Sequence, residues 1–235
     1  MTTVLMILSA ADHWTLADGT THPTGFWAEE FVTPYEAFTG EGWSVTLATP
    51  GGRAPTVDRA SLAEGAGDPE TLEKLKASLE RLTPVLDSPA DLAAVDHTDF
   101  DLVFYPGGHG PLEDLAVDRT SGAILAERVT AGTPLALLCH APAALLAASD
   151  DPASSPFAGY RVTGFSNIEE EQVGLAEKAP WLLEDKLKEL GADFSAAADP
   201  WDSHVVVDRN LYTGQNPNSS AELAERLVAD LGHPA

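Results

Sequence analysis

Short apolar segments alternate along the chain with longer segments whose apolar residues recur at helical spacing. The short segments predict strands at residues 4–8, 43–48, 101–105, 134–138, 160–164, 204–208 and 211–214. The longer segments predict helices at residues 26–38, 69–82, 121–131, 181–190 and 219–231. Pro34 lies inside the first helix and predicts a kink there or an end at Thr33.

The order of these elements determines the predicted fold class. Strands and helices alternate from the first residues to the last, which predicts an α/β protein with a mainly parallel sheet covered by helices on both sides. The last two strands follow each other closely enough to pair as a hairpin. No repeat, low-complexity segment or linker interrupts the alternation, so we predict a single domain over residues 1–235.

The segment from Pro134 to Leu146 carries the strongest chemical signal. A buried strand turns directly into an apolar, alanine-rich helix, and Cys139 and His140 stand at the turn. Such a turn places its apex residue on strained backbone, with the amides of the next helix facing a ligand. A lone cysteine in an apolar segment is most often an inert buried residue. The end position of Cys139 and the adjacent histidine favour a nucleophile.

Two further expectations concern this turn. Amides at the start of the following helix lower the pKa of a cysteine thiol, so we expect a lowered pKa for Cys139. His140 follows the apex residue directly, and its side chain is expected to point away from the sulfur. Gly107 and Gly108 follow the preceding strand. Because consecutive parallel strands end side by side, the Gly108 amide should lie near the sulfur.

Carboxylates occur at two positions where an acid or base is needed. Glu29 and Glu30 are adjacent in the apolar first helix, so one faces solvent while the other faces inward. The run Glu169, Glu170 and Glu171 follows the fifth strand. These three residues either begin an ordinary helix or supply the acid that orients His140.

Composition narrows the possible partners. The chain has 13 basic and 37 acidic residues, a formal net charge of −24, which argues against nucleic acid or an anionic membrane as partner. Its one cysteine excludes an internal disulfide and a multi-cysteine zinc site. No segment has the length and apolarity of a membrane span, and the first residues lack the basic region of a signal peptide. We therefore expect a cytoplasmic protein.

Taken together, the motifs resemble those of the ThiJ/PfpI family, within the class I glutamine amidotransferase-like superfamily. The resemblance is nearest to the heat-shock-type chaperones that are similar to glutathione-independent glyoxalase (glyoxalase III). Five stretches carry it: Thr24-Gly-Phe-Trp-Ala-Glu-Glu30, Tyr105-Pro-Gly-Gly-His-Gly110, Leu138-Cys-His-Ala-Pro-Ala143, residues 162–171, and Thr213-Gly-Gln-Asn-Pro217.

The resemblance implies a flavodoxin-like three-layer α/β/α sandwich with a nucleophile elbow. It also implies roles for residues, which are as follows: Cys139 as nucleophile, Glu30 as the carboxylate beside it, His140 and Glu170 as the rest of a Cys-His-Glu triad, the amides of Gly108 and His140 as oxyanion hole, and Gly107, His109, Trp27 and Ala141 in the substrate pocket. The usual residue after Cys-His is glycine, and here it is Ala141. The choice of Glu170 over its two neighbours rests on spacing from Gly164.

The implied reaction is the conversion of methylglyoxal or a related 2-oxoaldehyde to a 2-hydroxy acid such as lactate, without cofactor or metal. An enzyme of this kind is a glutathione-independent glyoxalase, or D-lactate dehydratase-like lyase. The alternatives are a protein deglycase, a stress chaperone of the holdase type, and an amidase-type or isocyanide-hydrating enzyme. By the same resemblance, the chain is expected to form a homodimer.

Overall fold

A computed structural model describes residues 1–232. The strands are β1 (Thr3–Ile7), β2 (His13–Thr15), β3 (Thr21–Pro23), β4 (Ser44–Thr49), β5 (Ala90–Asp91), β6 (Leu102–Tyr105), β7 (Leu135–Leu138), β8 (Arg161–Val162), β9 (Asp193–Phe194), β10 (Val205–Asp208) and β11 (Leu211–Gly214). The α-helices are α1 (Ala28–Gly40), α2 (Pro69–Leu86), α3 (Gly110–Glu113), α4 (Arg119–Ala131), α5 (Asn167–Gln172), α6 (Leu183–Glu189) and α7 (Ser220–Leu231). Within the described part, no helix is long and apolar enough to cross a membrane.

The central sheet has seven strands in the order β10-β11-β7-β6-β1-β4-β5. All neighbours are parallel except β10 and β11, which pair as an antiparallel hairpin. Helices α1, α2 and α7 pack together, and α4 packs with the segment that follows β7, so helices flank the sheet. The side chains of β1, β6 and β7 are almost entirely buried, as expected for strands covered on both faces. The predicted α/β class and mainly parallel sheet are confirmed.

Three segments differ in detail from what their sequences predict. Helix α1 does not end at Thr33 but continues through Pro34 to Gly40. Proline removes only one backbone donor, and Phe31, Val32 and Phe38 bury the helix in the core. The predicted strand at residues 160–164 is shorter, and β8 pairs with β9 in a separate small sheet. The segment after the elbow, Ala141–Ala148, is a 3₁₀ helix, because packing on all sides overrides the helical propensity of alanine.

A buried arginine stabilises the edge of the sheet opposite the elbow. The Arg128 side chain is almost completely buried and reaches from α4 to the chain segments that lead into β6 and β7. Its guanidinium donates hydrogen bonds to four backbone carbonyls, those of His97, Phe100, Asp101 and Pro134, at 2.9–3.3 Å. Arg128 thereby joins the chain segments at the starts of the two strands that carry the candidate site.

Candidate active site

The elbow forms where β6 and β7 end side by side. The two strands are parallel neighbours, with Tyr105 opposite Leu137. Cys139 follows β7 with a φ of 59°, a left-handed conformation that is strained for a residue with a side chain. Its own N–H donates to the carbonyl of Gly214 at the end of β11, at 2.8 Å. The strained turn is therefore held by the neighbouring strand, and the side chain is only 3% exposed.

Gly107 and Gly108 bring the end of β6 against the elbow. A Cβ on Gly107 would lie 2.7 Å from Glu30 Oε2 and 2.9 Å from the Cβ of Cys139, so only glycine leaves room for both. Gly108 has a φ of +91°, and a Cβ there would lie 2.4 Å from the carbonyl oxygen of Gly25. The N–H of Gly108 points at the Cys139 sulfur, as the strand order predicted.

Glu30 is the inward member of the acidic pair in α1. Its carboxyl group is fully buried beside the Cys139 thiol, whereas the side chain of Glu29 is only half-buried. The N–H of Gly107 donates to Glu30 Oε2 at 2.8 Å, and Oε1 has no hydrogen-bond partner in good geometry within residues 1–232. Burial raises the pKa of Glu30 to about 8, more than its contacts with Cys139 and Gly107 lower it. Glu30 is therefore mostly protonated at neutral pH.

The pKa of Cys139 is shifted in the direction opposite to the one expected. Burial raises it well above its usual value, and the adjacent Glu30 carboxyl raises it further, while the Gly108 amide lowers it by less. The sequence shows the amides near the elbow but not the complete removal of water from the sulfur. Since both acids resist ionisation, the Cys139–Glu30 pair carries at most one negative charge at neutral pH.

His140 lies between the sulfur and Glu170, so the expectation that its ring points away from the sulfur was wrong. Its Nδ1 is 3.3 Å from Cys139 Sγ, and its Nε2 is 2.7 Å from Glu170 Oε2. The helical backbone of His140 after the left-handed Cys139 folds the ring back alongside the thiol. There it packs against the ring of Phe165, with 4.3 Å between the ring centroids.

The protonation states of His140 and Glu170 determine which atom donates in each of these hydrogen bonds. Burial, followed by the neighbouring His109, lowers the pKa of His140 to about 4, so its ring is neutral at physiological pH. Burial would raise the pKa of Glu170, but the two histidines outweigh it and hold that pKa well below its usual range. An ionised Glu170 accepts the Nε2 proton of His140, which leaves Nδ1 as the acceptor that faces the thiol.

Of the three consecutive glutamates, only Glu170 reaches His140. Glu171 is exposed. Glu169 is buried and faces the opposite way, where it accepts hydrogen bonds from the backbone N–H of Trp201, from the Ser166 hydroxyl and from two side-chain amides, those of Gln215 and Asn216. Glu169 thus anchors the start of α5 and sets the direction in which Glu170 points.

His109 occupies a position that sequence reasoning did not foresee. It was predicted in the substrate pocket, but its Nε2 lies 2.8 Å from Glu170 Oε1, so one carboxylate binds two histidines. The ring stacks on Trp14 from the β2–β3 hairpin, at 5.4 Å between centroids. Trp14 and this second contact of Glu170 were missed, because no spacing in the sequence joins these distant residues.

The other predicted pocket residues differ in how exposed they are to solvent. Gly107 and Ala141 are buried and shape the site from behind. Trp27 is half-buried and lines a cavity of about 400 Å³ together with Trp201, whose ring packs against Phe165. The backbone N–H of Trp27 also donates to the Gly107 carbonyl at 3.1 Å. The ring of Phe165 packs on His140 as well, so ring contacts connect this cavity to the candidate site.

The family assignment follows from a sequence model. Residues 22–230 match the model of the DJ-1/PfpI family. The chain belongs to the DJ-1/PfpI family. This DJ-1/PfpI chain is 30% identical, over 96% of its length and 96% of the relative's, to the glutathione-independent glyoxalase HSP31 of Saccharomyces cerevisiae. It is 28% identical to the protein/nucleic acid deglycase HchA of Staphylococcus aureus, over 97% of this chain and 79% of that one.

A solved structure supports the same fold. The crystal structure of glyoxalase III from Candida albicans superposes on this DJ-1/PfpI chain with a TM-score of 0.81 at 26% sequence identity, covering 97% of this chain and 96% of the other. The predicted ThiJ/PfpI resemblance is confirmed by these matches. Among the described residues of this DJ-1/PfpI member, one group of side chains converges as metal ligands would, namely His109, His140 and Glu170.

Proposed function

We propose that this DJ-1/PfpI member converts methylglyoxal or a related 2-oxoaldehyde to a 2-hydroxy acid, without glutathione or a cofactor. The observation that carries the proposal is the contact between the Cys139 thiol and a buried Glu30 whose pKa is raised to about 8. A nucleophile and an acid–base group that titrates near neutral pH are what an internal redox reaction of an aldehyde requires. The glyoxalase relatives in two yeasts favour this reaction over others.

The first step is the addition of sulfur to the aldehyde. The thiol proton moves to Nδ1 of His140, 3.3 Å away, while a C–S bond forms and the carbonyl π bond breaks. The N–H of Gly108, with that of His140, stabilises the oxygen anion that develops. His140 then returns its proton to that oxygen, which gives a neutral hemithioacetal. Glu170 stabilises the transient imidazolium, because its carboxylate already accepts the Nε2 proton.

The second step moves a hydrogen between the two carbons. Glu30, in its ionised form, removes the proton from the carbon that carries sulfur, and an enediolate results with its negative charge on the former ketone oxygen. That oxygen takes the proton of the hydroxyl group on the sulfur-bearing carbon, whose oxygen becomes the thioester carbonyl. Glu30 then delivers that proton to the neighbouring carbon, which leaves a 2-hydroxy thioester on Cys139. A pKa near the working pH suits a group that must both accept and donate. Water finally cleaves the C–S bond, releasing lactate in the case of methylglyoxal and restoring the thiol.

A protein deglycase is the second candidate. The cavity beside Trp27 and Trp201, about 400 Å³ in volume, offers room for a side chain attached to the aldehyde carbon. The staphylococcal deglycase relative is consistent with such a substrate. The same residues would run the chemistry, with an amine of the modified side chain as leaving group.

Lactate formation from methylglyoxal without glutathione tests the proposal, with Cys139→Ser as the matched variant. The wild-type protein should form lactate, and the variant should form at least a hundredfold less while melting within a few degrees of wild type. Comparison of free methylglyoxal with its adduct on N-acetylarginine separates the two candidates, since a deglycase turns over the adduct faster. Lactate formed equally by both proteins, or by neither, would overturn the glyoxalase assignment.

A further inference from the structure

Five aromatic rings form a continuous row behind the thiol. They are, in order, Trp14, His109, His140, Phe165 and Trp201. The centroids of successive rings are 5.4, 4.1, 4.3 and 5.5 Å apart. The rings of His109 and His140 are tilted by only 36° to each other, and each has a large ring packed on its other side. The row therefore fixes both imidazoles in place.

The two imidazoles present the same nitrogen to the same group. Nε2 of His109 lies 2.8 Å from Glu170 Oε1, and Nε2 of His140 lies 2.7 Å from Glu170 Oε2. The three ligand atoms all lie within 4.8 Å of one another. Two imidazole nitrogens and one carboxylate are a donor set that Zn²⁺ takes in catalytic sites, with a fourth position left for water. Ligand atoms of a tetrahedral zinc ion are about 3.3 Å apart, so the two contacts need to widen by roughly half an ångström.

We propose that His109, His140 and Glu170 form a binding site for one divalent transition-metal ion such as Zn²⁺. The bound ion prevents His140 from accepting the proton of the Cys139 thiol. Metal–nitrogen bonds replace the two Nε2–H bonds to Glu170. The displaced protons move to the Nδ1 atoms or to solvent. The binding does not depend on the proposed function, whereas the blocking rests on it.

The blocking follows from the position of the nitrogen that the ion occupies. His140 can accept the thiol proton at Nδ1 only while its own proton stays on Nε2. A metal ion on Nε2 leaves the ring proton on Nδ1, where it points at the sulfur 3.3 Å away as a donor. Metal binding thus removes the acceptor for the thiol proton that the proposed first step uses. The site is a point of inhibition by an ion, not the place of a catalytic cofactor.

The surroundings favour a cation at this point. No lysine or arginine contacts Glu170 within the described residues, and the whole chain carries a net charge of −24, which raises the local concentration of cations. On the outer side, the half-exposed ring of His22 lies next to His109, with 6.1 Å between centroids. The β2–β3 hairpin that carries Trp14 and His22 therefore covers His109 on its outer side.

Competition with a chromogenic chelator measures Zn²⁺ binding to the metal-free protein. Wild type and Cys139→Ser should each bind one ion per chain, and His109→Gln and Glu170→Gln should bind it at least tenfold more weakly. His13→Gln is the matched control, because His13 lies between two carboxylates near the surface, those of Asp12 and Glu113, and should make no difference. No stoichiometric ion in wild type, or unchanged affinity in both His109→Gln and Glu170→Gln, overturns the site.

Co²⁺ gives a second test that needs no folded variant. The wild-type complex should show the visible bands of a low-coordinate nitrogen–oxygen site and no thiolate-to-cobalt charge-transfer band, since Cys139 is not a ligand. A strong thiolate band would overturn the assignment. One bound Zn²⁺ should also reduce lactate formation at least tenfold, reversibly with a chelator. If the zinc-loaded protein forms lactate at an undiminished rate, the proposed inhibition is wrong but the binding site stands. If the metal-free protein forms no lactate, the glyoxalase proposal is wrong and the binding result again stands.

Discussion

Two acids in contact, Cys139 and Glu30, compete for one negative charge in a fully buried site. Burial raises both pKa values, and the Glu30 carboxyl is the second-largest reason that the thiol resists ionisation. Glu30→Gln keeps the shape but can never become an anion. The variant should therefore ionise Cys139 at lower pH, while it forms no lactate because it cannot shuttle a proton.

The rate of Cys139 alkylation by iodoacetamide as a function of pH measures this effect. The profile of Glu30→Gln should move to lower pH than that of wild type, and the profile of Glu29→Gln should move much less. Glu29 is the matched control, since it is adjacent on the same helix but only half-buried. Superimposable profiles for Glu30→Gln and wild type would show that the two groups do not share a charge.

The raised pKa of Glu30 also makes stability depend on pH. The unfolded chain releases the Glu30 proton near pH 4.5, whereas the folded protein keeps it up to about pH 8, so this group lowers the stability of wild type progressively between these values. Glu30→Gln should become more stable relative to wild type as pH rises from 5 to 8, by a few kcal/mol at ~1.4 kcal/mol per unit of pKa. Urea unfolding at the two pH values measures it. Glu80→Gln, at an exposed position on α2, should show no such trend.

Some features of the site could be predicted from single residues in the sequence, and others could not. A glutamate inside an apolar helix, a cysteine at the end of an apolar strand and a glycine pair after another strand each violate a local pattern, and all three meet at the site. The direction of the His140 ring and the sign of the pKa shift of Cys139 could not be predicted from the sequence. The ring direction follows from the left-handed backbone of Cys139, and the sign of the shift follows from complete burial of the thiol, and no local pattern encodes either.

Among the elements, α4 and the two strands it covers are joined by the Arg128 guanidinium. Arg128→Met should remove the guanidinium hydrogen bonds to four backbone carbonyls and destabilise the protein by about 2–5 kcal/mol. Arg81→Met, which removes an exposed ion pair between α2 and α1, should cost about 1 kcal/mol or less. Urea unfolding compares the two variants. Equal losses would mean that the carbonyls find water or other donors.

The spacing of apolar residues predicted most strands and helices, because that spacing reflects which side chains are buried. It failed where a segment is buried by packing that is not regular secondary structure. The segment Ala141–Ala148 is apolar on all sides and has good helix formers, yet it winds as a 3₁₀ helix. Residues 160–164 look like a core strand, yet β8 lies outside the central sheet and pairs with β9. Neither case has a signal within the segment itself, since partners distant in the sequence decide both.

At the scale of the whole molecule, the acidic surface sets a condition on assembly. A homodimer, as the family resemblance implies, must bring together two chains that each carry a net charge of −24. Their repulsion is weaker at high ionic strength, so the dimer should be more populated in 0.5 M salt than in 0.02 M salt. Light scattering at micromolar concentration measures this against the monomer mass of 24.8 kDa. A mass of 24.8 kDa at every salt concentration would exclude the dimer.

The bond between the Cys139 N–H and the Gly214 carbonyl has a consequence for the order of synthesis. The strand that holds the elbow, β11, and the amides that hold Glu169 lie near the carboxyl end of the sequence. A ribosome therefore exposes the cysteine well before the residues that shape its surroundings have left the exit tunnel. During that interval the thiol has the ordinary reactivity of an unstructured chain, so a newly made molecule acquires the buried, shifted cysteine only after β11 has been synthesised.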